Sequence, residues 1–150
     1  MNAINLQKVG HYFYVNKIPF LPKLIYYITY FVFNSSIPPS VVIGKNTRCA
    51  YGGIGVVIQD QMIIGDNVII GQNVTLGGNF GFGRSKIGNN VYIGAGARII
   101  SSDIGSNVVI GVNSVVINKN IPDNSVFAGI PAKYIREYDE EIHTFGINRN

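Results

Sequence analysis

The sequence predicts an all-β chain, a parallel β-solenoid with a short helical segment at its N-terminus. Three observations predict it. An aliphatic residue followed by glycine recurs at a six-residue period, a small or β-branched residue stands three positions past most of those glycines, and asparagine recurs between them. A period of six suits neither an amphipathic helix nor plain strand alternation. It suits short strands joined by turns, three to a coil, with each coil stacked on the last.

The units open at Ile43-Gly44, Ile64-Gly65, Ile70-Gly71, Leu76-Gly77, Ile87-Gly88, Ile93-Gly94, Ile104-Gly105 and Ile110-Gly111. The residues three past the glycines are Thr47, Val68, Val74, Val91, Ala97, Val108 and Ser114, with Phe80 as the exception. Each opening aliphatic residue is expected to point into the prism. The glycine or asparagine after it is expected to take the left-handed backbone conformation at a corner, where a Cβ is costly. Asparagines 46, 67, 73, 90, 107 and 113 suit such turns.

Breaks in the period locate loops. Three extra residues fall around Tyr51-Gly52-Gly53, five fall within Gly77–Lys86, and one is missing near Ile99–Asp103. A flat-sided prism has no room for extra residues, so 77–86 is expected to project, carrying Phe80, Phe82 and Arg84. Projecting loops on rigid scaffolds concentrate function.

The chain divides into an N-terminal cap (1–42), the solenoid (43–136) and an acidic tail (137–150). Within the cap, Leu21–Phe33 is nearly all apolar and prolines 19, 22, 38 and 39 punctuate its surroundings. A helix of that length reaches about 18 Å, short of the ~30 Å hydrocarbon core of a bilayer. It is expected to cover the open first coil, as solenoid ends require. Attachment to a membrane surface is disfavoured because the segment lacks a strongly charged face.

Composition is consistent with a packed domain, with 47% apolar and 13% charged residues. The net charge of +4 is unevenly spread. Residues 1–136 hold eleven Lys/Arg against four Asp/Glu, whereas 137–150 hold one Arg against four acids. An electropositive body suits a small polyanion, while the single scattered basic residues do not form a nucleic-acid footprint. Cys49, the one cysteine, reads as a reduced, buried small hydrophobe, which with no secretory signal at Met1–Gly10 suggests the cytoplasm.

Four stretches carry a family resemblance: Tyr51–Ile58 (YGGIGVVI), Ile70–Gly78 (IGQNVTLGG), Lys86–Ala97 (KIGNNVYIGAGA) and Ala128–Lys133 (AGIPAK). Together they resemble the hexapeptide-repeat acyltransferases, above all short serine-acetyltransferase-like members, among them enzymes that O-acetylate surface-polysaccharide sugars. The resemblance implies a left-handed β-helix, a hand that periodicity alone does not give. It also implies a homotrimer with acetyl-CoA, as co-substrate, in a groove between two subunits. Gly94, Ala95 and Gly96 would offer backbone amides and a small surface to the pantetheine arm. Ser114 and Val115 would continue that wall, and Lys133 and Arg136 would meet the phosphates.

The implied function is transfer of an acetyl group to a hydroxyl of a sugar, such as a surface-polysaccharide precursor, or of serine. Cysteine biosynthesis is the less expected setting, because only about 40 residues precede the coils and the chain ends Ile147-Asn148-Arg149-Asn150. The pattern departs from the family at its histidines. Gly52, Gln59 and Arg84 stand where the family places them, and His11 and His143 lie outside the repeats. Candidates for the base are therefore Asp60, Tyr51, or His143 or His11 brought in by a neighbouring subunit. Arg84, or the amides of Gly77 and Gly78, would stabilise an oxyanion. The missing histidines leave a second reading open, a non-catalytic trimeric binding or scaffold protein. A metal-dependent hydratase on the same repeat is set aside, since no histidine lies in the repeats to hold a metal.

Overall fold

The computed structural model describes residues 1–78 and 85–143, with side chains through Glu141. Two helices, α1 (Ala3–Val15) and α2 (Leu21–Phe33), lead into the strands β1 (Val42–Ile43), β2 (Arg48–Cys49), β3 (Val57–Ile58), β4 (Ile63–Ile64), β5 (Ile69–Ile70) and β6 (Thr75–Gly77). There follow β7 (Lys86–Ile87), β8 (Val91–Ile93), β9 (Arg98–Ile100), β10 (Val108–Ile110), β11 (Val115–Ile117), β12 (Ser125–Ala128) and β13 (Lys133–Glu137), then the helical turn α3 (Glu140–His143).

The strands form the three faces of a prism of about four turns. The first face is β1-β4-β7, continued by the bridges of Ile87 to Ile104 and Ile104 to Ile121. The second is β2-β5-β8-β10-β12, and the third is β3-β6-β9-β11. Every pairing among these is parallel. Successive coils repeat after 21, 23 and then 17 residues. Those steps are the ones expected from the three-residue insertion, the five-residue insertion and the missing residue. The middle of the 77–86 segment lies outside the described residues; its two ends are the end of β6 and the start of β7.

The opening aliphatic residues fill the interior. Ile64, Ile70, Leu76, Ile87, Ile93, Ile104 and Ile110 are all buried, as are Thr47, Val68, Val74, Val91, Ala97, Val108 and Ser114. Each large aliphatic side chain removed from water stabilises the prism by about 1.5–3 kcal/mol.

The corners correct one expectation. Most left-handed corner positions belong to asparagines, with φ of 54–57° at Asn46, Asn67, Asn73, Asn90, Asn107 and Asn113, and Gly96 takes the same place at φ 72°. The opening glycines do not share that conformation, and their reason is space. A Cβ on Gly65 would sit 2.6 Å from the Gly88 carbonyl oxygen, and one on Gly88 would sit 2.6 Å from that of Gly105. The asparagine side chains meanwhile form a ladder from Asn46 through Asn67, Asn90 and Asn107 to Asn124, each amide donating to the next.

Both ends of the prism are closed. At the top, β13 runs antiparallel to β12, and the Tyr134 ring meets Phe127 edge-on at 5.8 Å. At the bottom the cap is α1, a helix that the sequence pattern did not predict. Ala3 and Ile4 are fully buried in the core, and the Gln7 amide donates to the carbonyls of Pro38 and Val41. The solenoid begins before residue 43, since Ile37 and Val41 are core residues and Ser36 already bridges to Val57. Helix α2 has the expected bounds but not the expected place. It packs on α1, buries Thr29 and Phe33, and leaves most of its apolar side chains in solvent.

Candidate functional site

The predicted site residues fall at two different corners. Between the second and third faces lies a corner built from Ala50–Gly55 in the first coil, Gln72-Asn73 in the second, Ala95-Gly96 in the third and Val112-Asn113 in the fourth. Backbone bonds stack these layers: Asn73 N–H donates to Ile54 O, Gly96 N–H to Gln72 O and Asn113 N–H to Ala95 O. Beside it runs a column of small residues. A Cβ on Gly71 would meet Ala95 at 2.5 Å, one on Gly94 would meet Val112 at 2.5 Å, and one on Gly111 would meet the Ala128 Cβ at 2.7 Å. Ala128 pairs with Lys133. From Gly71 to Ala128 is three coil steps, about 14 Å at the spacing of paired strands. The edge is thus narrow, with the Arg98 guanidinium lying across it on the carbonyls of Asn73 and Gly96, and it leads towards the exposed Lys133 and Arg136.

Within this edge, several expected contacts are placed differently. The N–H groups of Gly94 and Gly96 donate to Ile110 O and Gln72 O, so they hold coils together rather than face a ligand. Ser114 is fully buried, and its Oγ accepts from Gly129 N–H, so it fixes the Gly129 turn (φ 99°) and is not part of an outer wall. Val115 is half-buried in β11, with its N–H and C=O bonded to Gly129 and Ala132. The exposed apolar side chains beside the glycine column are Ile54 and Val112, with the half-buried Gln72 and Ala95 between them and Asn73 and Asn113 exposed alongside. Val112 was not among the residues expected from sequence. Its signal was the register itself, because it stands two past Ile110 as Ala95 stands two past Ile93.

The insertion in the first coil forms the foot of this corner. Ala50–Gly53 makes a tight helical turn in which Tyr51 takes φ 48° and ψ 36° and is 78% exposed. The turn leans on the cap, since a Cβ on Gly53 would come within 2.9 Å of Ala3 and one on Gly52 within 3.4 Å of the Phe33 ring. A non-glycine residue held left-handed costs about 1–2 kcal/mol, and here it presents the Tyr51 ring to solvent.

Asp60 stands at the other corner, between the third and first faces, just past β3 and exposed. Its neighbour Gln59 accepts through Oε1 from Gly78 N–H, while Ser101 donates to the carbonyls of both Gly77 and Gly78. The Gly78 amide is thereby engaged, which removes it as an oxyanion donor. Gln59, at one expected histidine position, pins the start of the 77–86 segment. Arg84 lies outside the described residues. His143 closes α3, beyond β13, and its side chain lies outside the described part of the chain. His11 belongs to α1, where Nδ1 lies 2.7 Å from Pro39 O and ties the cap to the chain entering the solenoid. Burial pushes the Cys49 thiol up to about 12, so it is an inert core group. Among the described residues, no group of three His, Cys, Asp or Glu side chains stands together as a metal site.

No protein-family model and no curated protein sequence matches the chain. Solved structures do. Serine acetyltransferase of Neisseria gonorrhoeae matches over 91% of this chain and 54% of its own, at 31% identity and a TM-score of 0.84. Serine acetyltransferase of Brucella abortus in complex with coenzyme A matches over 91% and 56%, at 29% identity and 0.84. The soybean enzyme complexed with serine matches over 89% and 56%, at 32% identity and 0.80. The chain therefore has the hexapeptide-repeat, left-handed β-helix architecture of acetyltransferases, and the expected resemblance is borne out. The particular enzymes in these comparisons are serine acetyltransferases, and the chain spans about half their length.

Proposed function

We propose that this protein is an acetyl-CoA-dependent O-acetyltransferase of the left-handed β-helix type, acting as a homotrimer on the hydroxyl of serine or of a sugar. The observation that carries the reading is the likeness over nine-tenths of the chain to serine acetyltransferases, one of them in complex with coenzyme A. The small-residue edge supports it. A pantetheine arm needs a long, narrow, apolar track, which Ile54, Ala95 and Val112 line, and the phosphates need cations at its end, which Lys133 and Arg136 supply.

In the reaction the acceptor oxygen attacks the thioester carbon, the C–S bond breaks, and the acceptor proton leaves to a base while the thiolate is protonated. Asp60, exposed beside Gln59, and Tyr51, presented on its strained turn, are the described candidates for handling that proton. A binding module without catalysis is the second reading. It is favoured by Gln59, which stands at an expected histidine position, cannot act as a base and accepts from Gly78 N–H.

Titration calorimetry with acetyl-CoA, followed by thiol release over a panel of serine and sugar acceptors, separates these. Binding with release supports the transferase, whereas no binding of acetyl-CoA overturns it and supports the non-catalytic scaffold. Replacing Lys133 and Arg136 together by alanine is expected to weaken coenzyme A binding by about 1–3 kcal/mol. The loss should be larger at low salt.

A further inference from the structure

The helical hairpin presents a surface that nothing in the solenoid uses. Along α2, Leu24, Tyr27, Ile28 and Phe31 fall at the three- and four-residue spacing of one helix face, and all are exposed. Such a stripe normally faces a core. Here the core-facing work is done by α1 and by Phe33 at the end of α2, and Phe31 is 81% exposed. The turn between the helices adds to the surface. Phe20 is held at φ 67°, a costly conformation for an aromatic residue, with 85% of its surface in solvent. Among the described residues, no packing buries the Phe20 ring in return for that conformation.

The charge around the stripe selects its occupant. Residues 1–59 contain no Asp or Glu, while Lys17 and Lys23 lie between the helices and on α2; Lys8 is turned to the solenoid, where its ammonium donates to the Gly44 carbonyl. Lys17 and Phe20 share the exposed turn, and Lys23 Nζ lies 6.0 Å from the Tyr27 ring centre. A second copy docked here would bring lysines towards lysines. A surface of anionic headgroups over hydrocarbon accepts lysines, tyrosines and phenylalanines together. Each helix has 13 residues, and among the described residues no helix is long and apolar enough to cross a membrane. Taken alone, α2 lacks the charged face that surface attachment needs, but the turn sets Lys17 near Phe20 and Lys23 lies beside Tyr27, so the hairpin can lie in the interface but not span it.

We propose that the α1–α2 hairpin docks this protein on anionic lipid surfaces, with Phe20 and the exposed stripe of α2 inserted and Lys17 and Lys23 at headgroup level. Flotation of the full chain with vesicles tests it. Vesicles of equal phosphatidylcholine and phosphatidylglycerol should carry the protein, and phosphatidylcholine alone should carry little. Phe20→Ser with Phe31→Ser, and separately Lys17→Glu with Lys23→Glu, should each lower binding by about tenfold or more. Circular dichroism and the mass by light scattering should stay unchanged. Equal binding to both vesicle types, or none to either, overturns the proposal. So does a fall in assembly mass in the Phe20→Ser/Phe31→Ser protein, which would make the stripe a protein interface. Should the serine variant lose its fold, the charge-reversed protein still tests the docking, and its undiminished flotation would overturn it.

Discussion

At the residue scale, asparagine and glycine divide work that a periodic sequence does not separate. Both recur at the corners, and both tolerate left-handed backbone. The corner asparagines adopt it, as do Gly55 and Gly96 stacked against Asn73 and Asn113, while the opening glycines do not and are small because the next coil lies against them. Period and composition show that small residues are needed, but the reason depends on how closely coils stack. Cys49 offers a cleaner residue-level test. Its thiol ordinarily ionises near 9.0 and is pushed by burial to about 12. The native state therefore keeps a proton that the unfolded chain loses between those values. Below pH 9 the buried thiol contributes packing but no pH dependence; above it stability falls, by roughly 1 kcal/mol per pH unit, until about 12. Denaturation midpoints of the wild type and Cys49→Ala, compared across about pH 8 to 11, should converge as the pH rises; parallel curves would show that the thiol ionises freely in the fold.

At the element scale, the sequence marked α2 to the residue, but α2 reaches the core only through Phe33. Apolarity was the only signal, and an apolar helix beside an open coil looks like a lid. The lid is α1, whose contact with the core rests chiefly on Ala3, Ile4 and the bonds of Gln7. So few core contacts in a mixed polar helix leave no strong pattern to read. The coils were legible for the opposite reason. Every layer repeats the same demand for an inward aliphatic residue, so each insertion announced itself as a change of step. The site was legible only in part, because a solenoid places residues six apart on different faces, and which corner faces a ligand depends on stacking between coils. Ile4→Ala should lower stability by about 2–4 kcal/mol. Leu24→Ser, on the exposed stripe, should change it by less than ~0.5 kcal/mol. Urea unfolding measures both, and equal losses would return the capping role to α2.

At the scale of the whole molecule, the two described catalytic candidates pose a geometrical question. Tyr51 precedes β3 and Asp60 follows it, so they sit at opposite edges of the third face. From Gly55 to Gln59 the strand rises about 13 Å, more than one acceptor hydroxyl can bridge. If both residues serve one reaction, they come from different copies. A three-fold assembly does this naturally, because each interface sets one edge of a prism beside a different edge of its neighbour. Light scattering should then give the mass of three chains, and Tyr51→Phe and Asp60→Asn should each lose most acetyl transfer. Co-expression of the two variants is the sharper test. In randomly mixed trimers about a quarter of the interfaces combine an intact Tyr51 with an intact Asp60, and activity should return to about that level. Full activity in either single variant removes that residue from the chemistry. Two inactive variants that recover nothing when mixed would place both residues in the same copy's site, which the separation along β3 does not allow without a change in the fold.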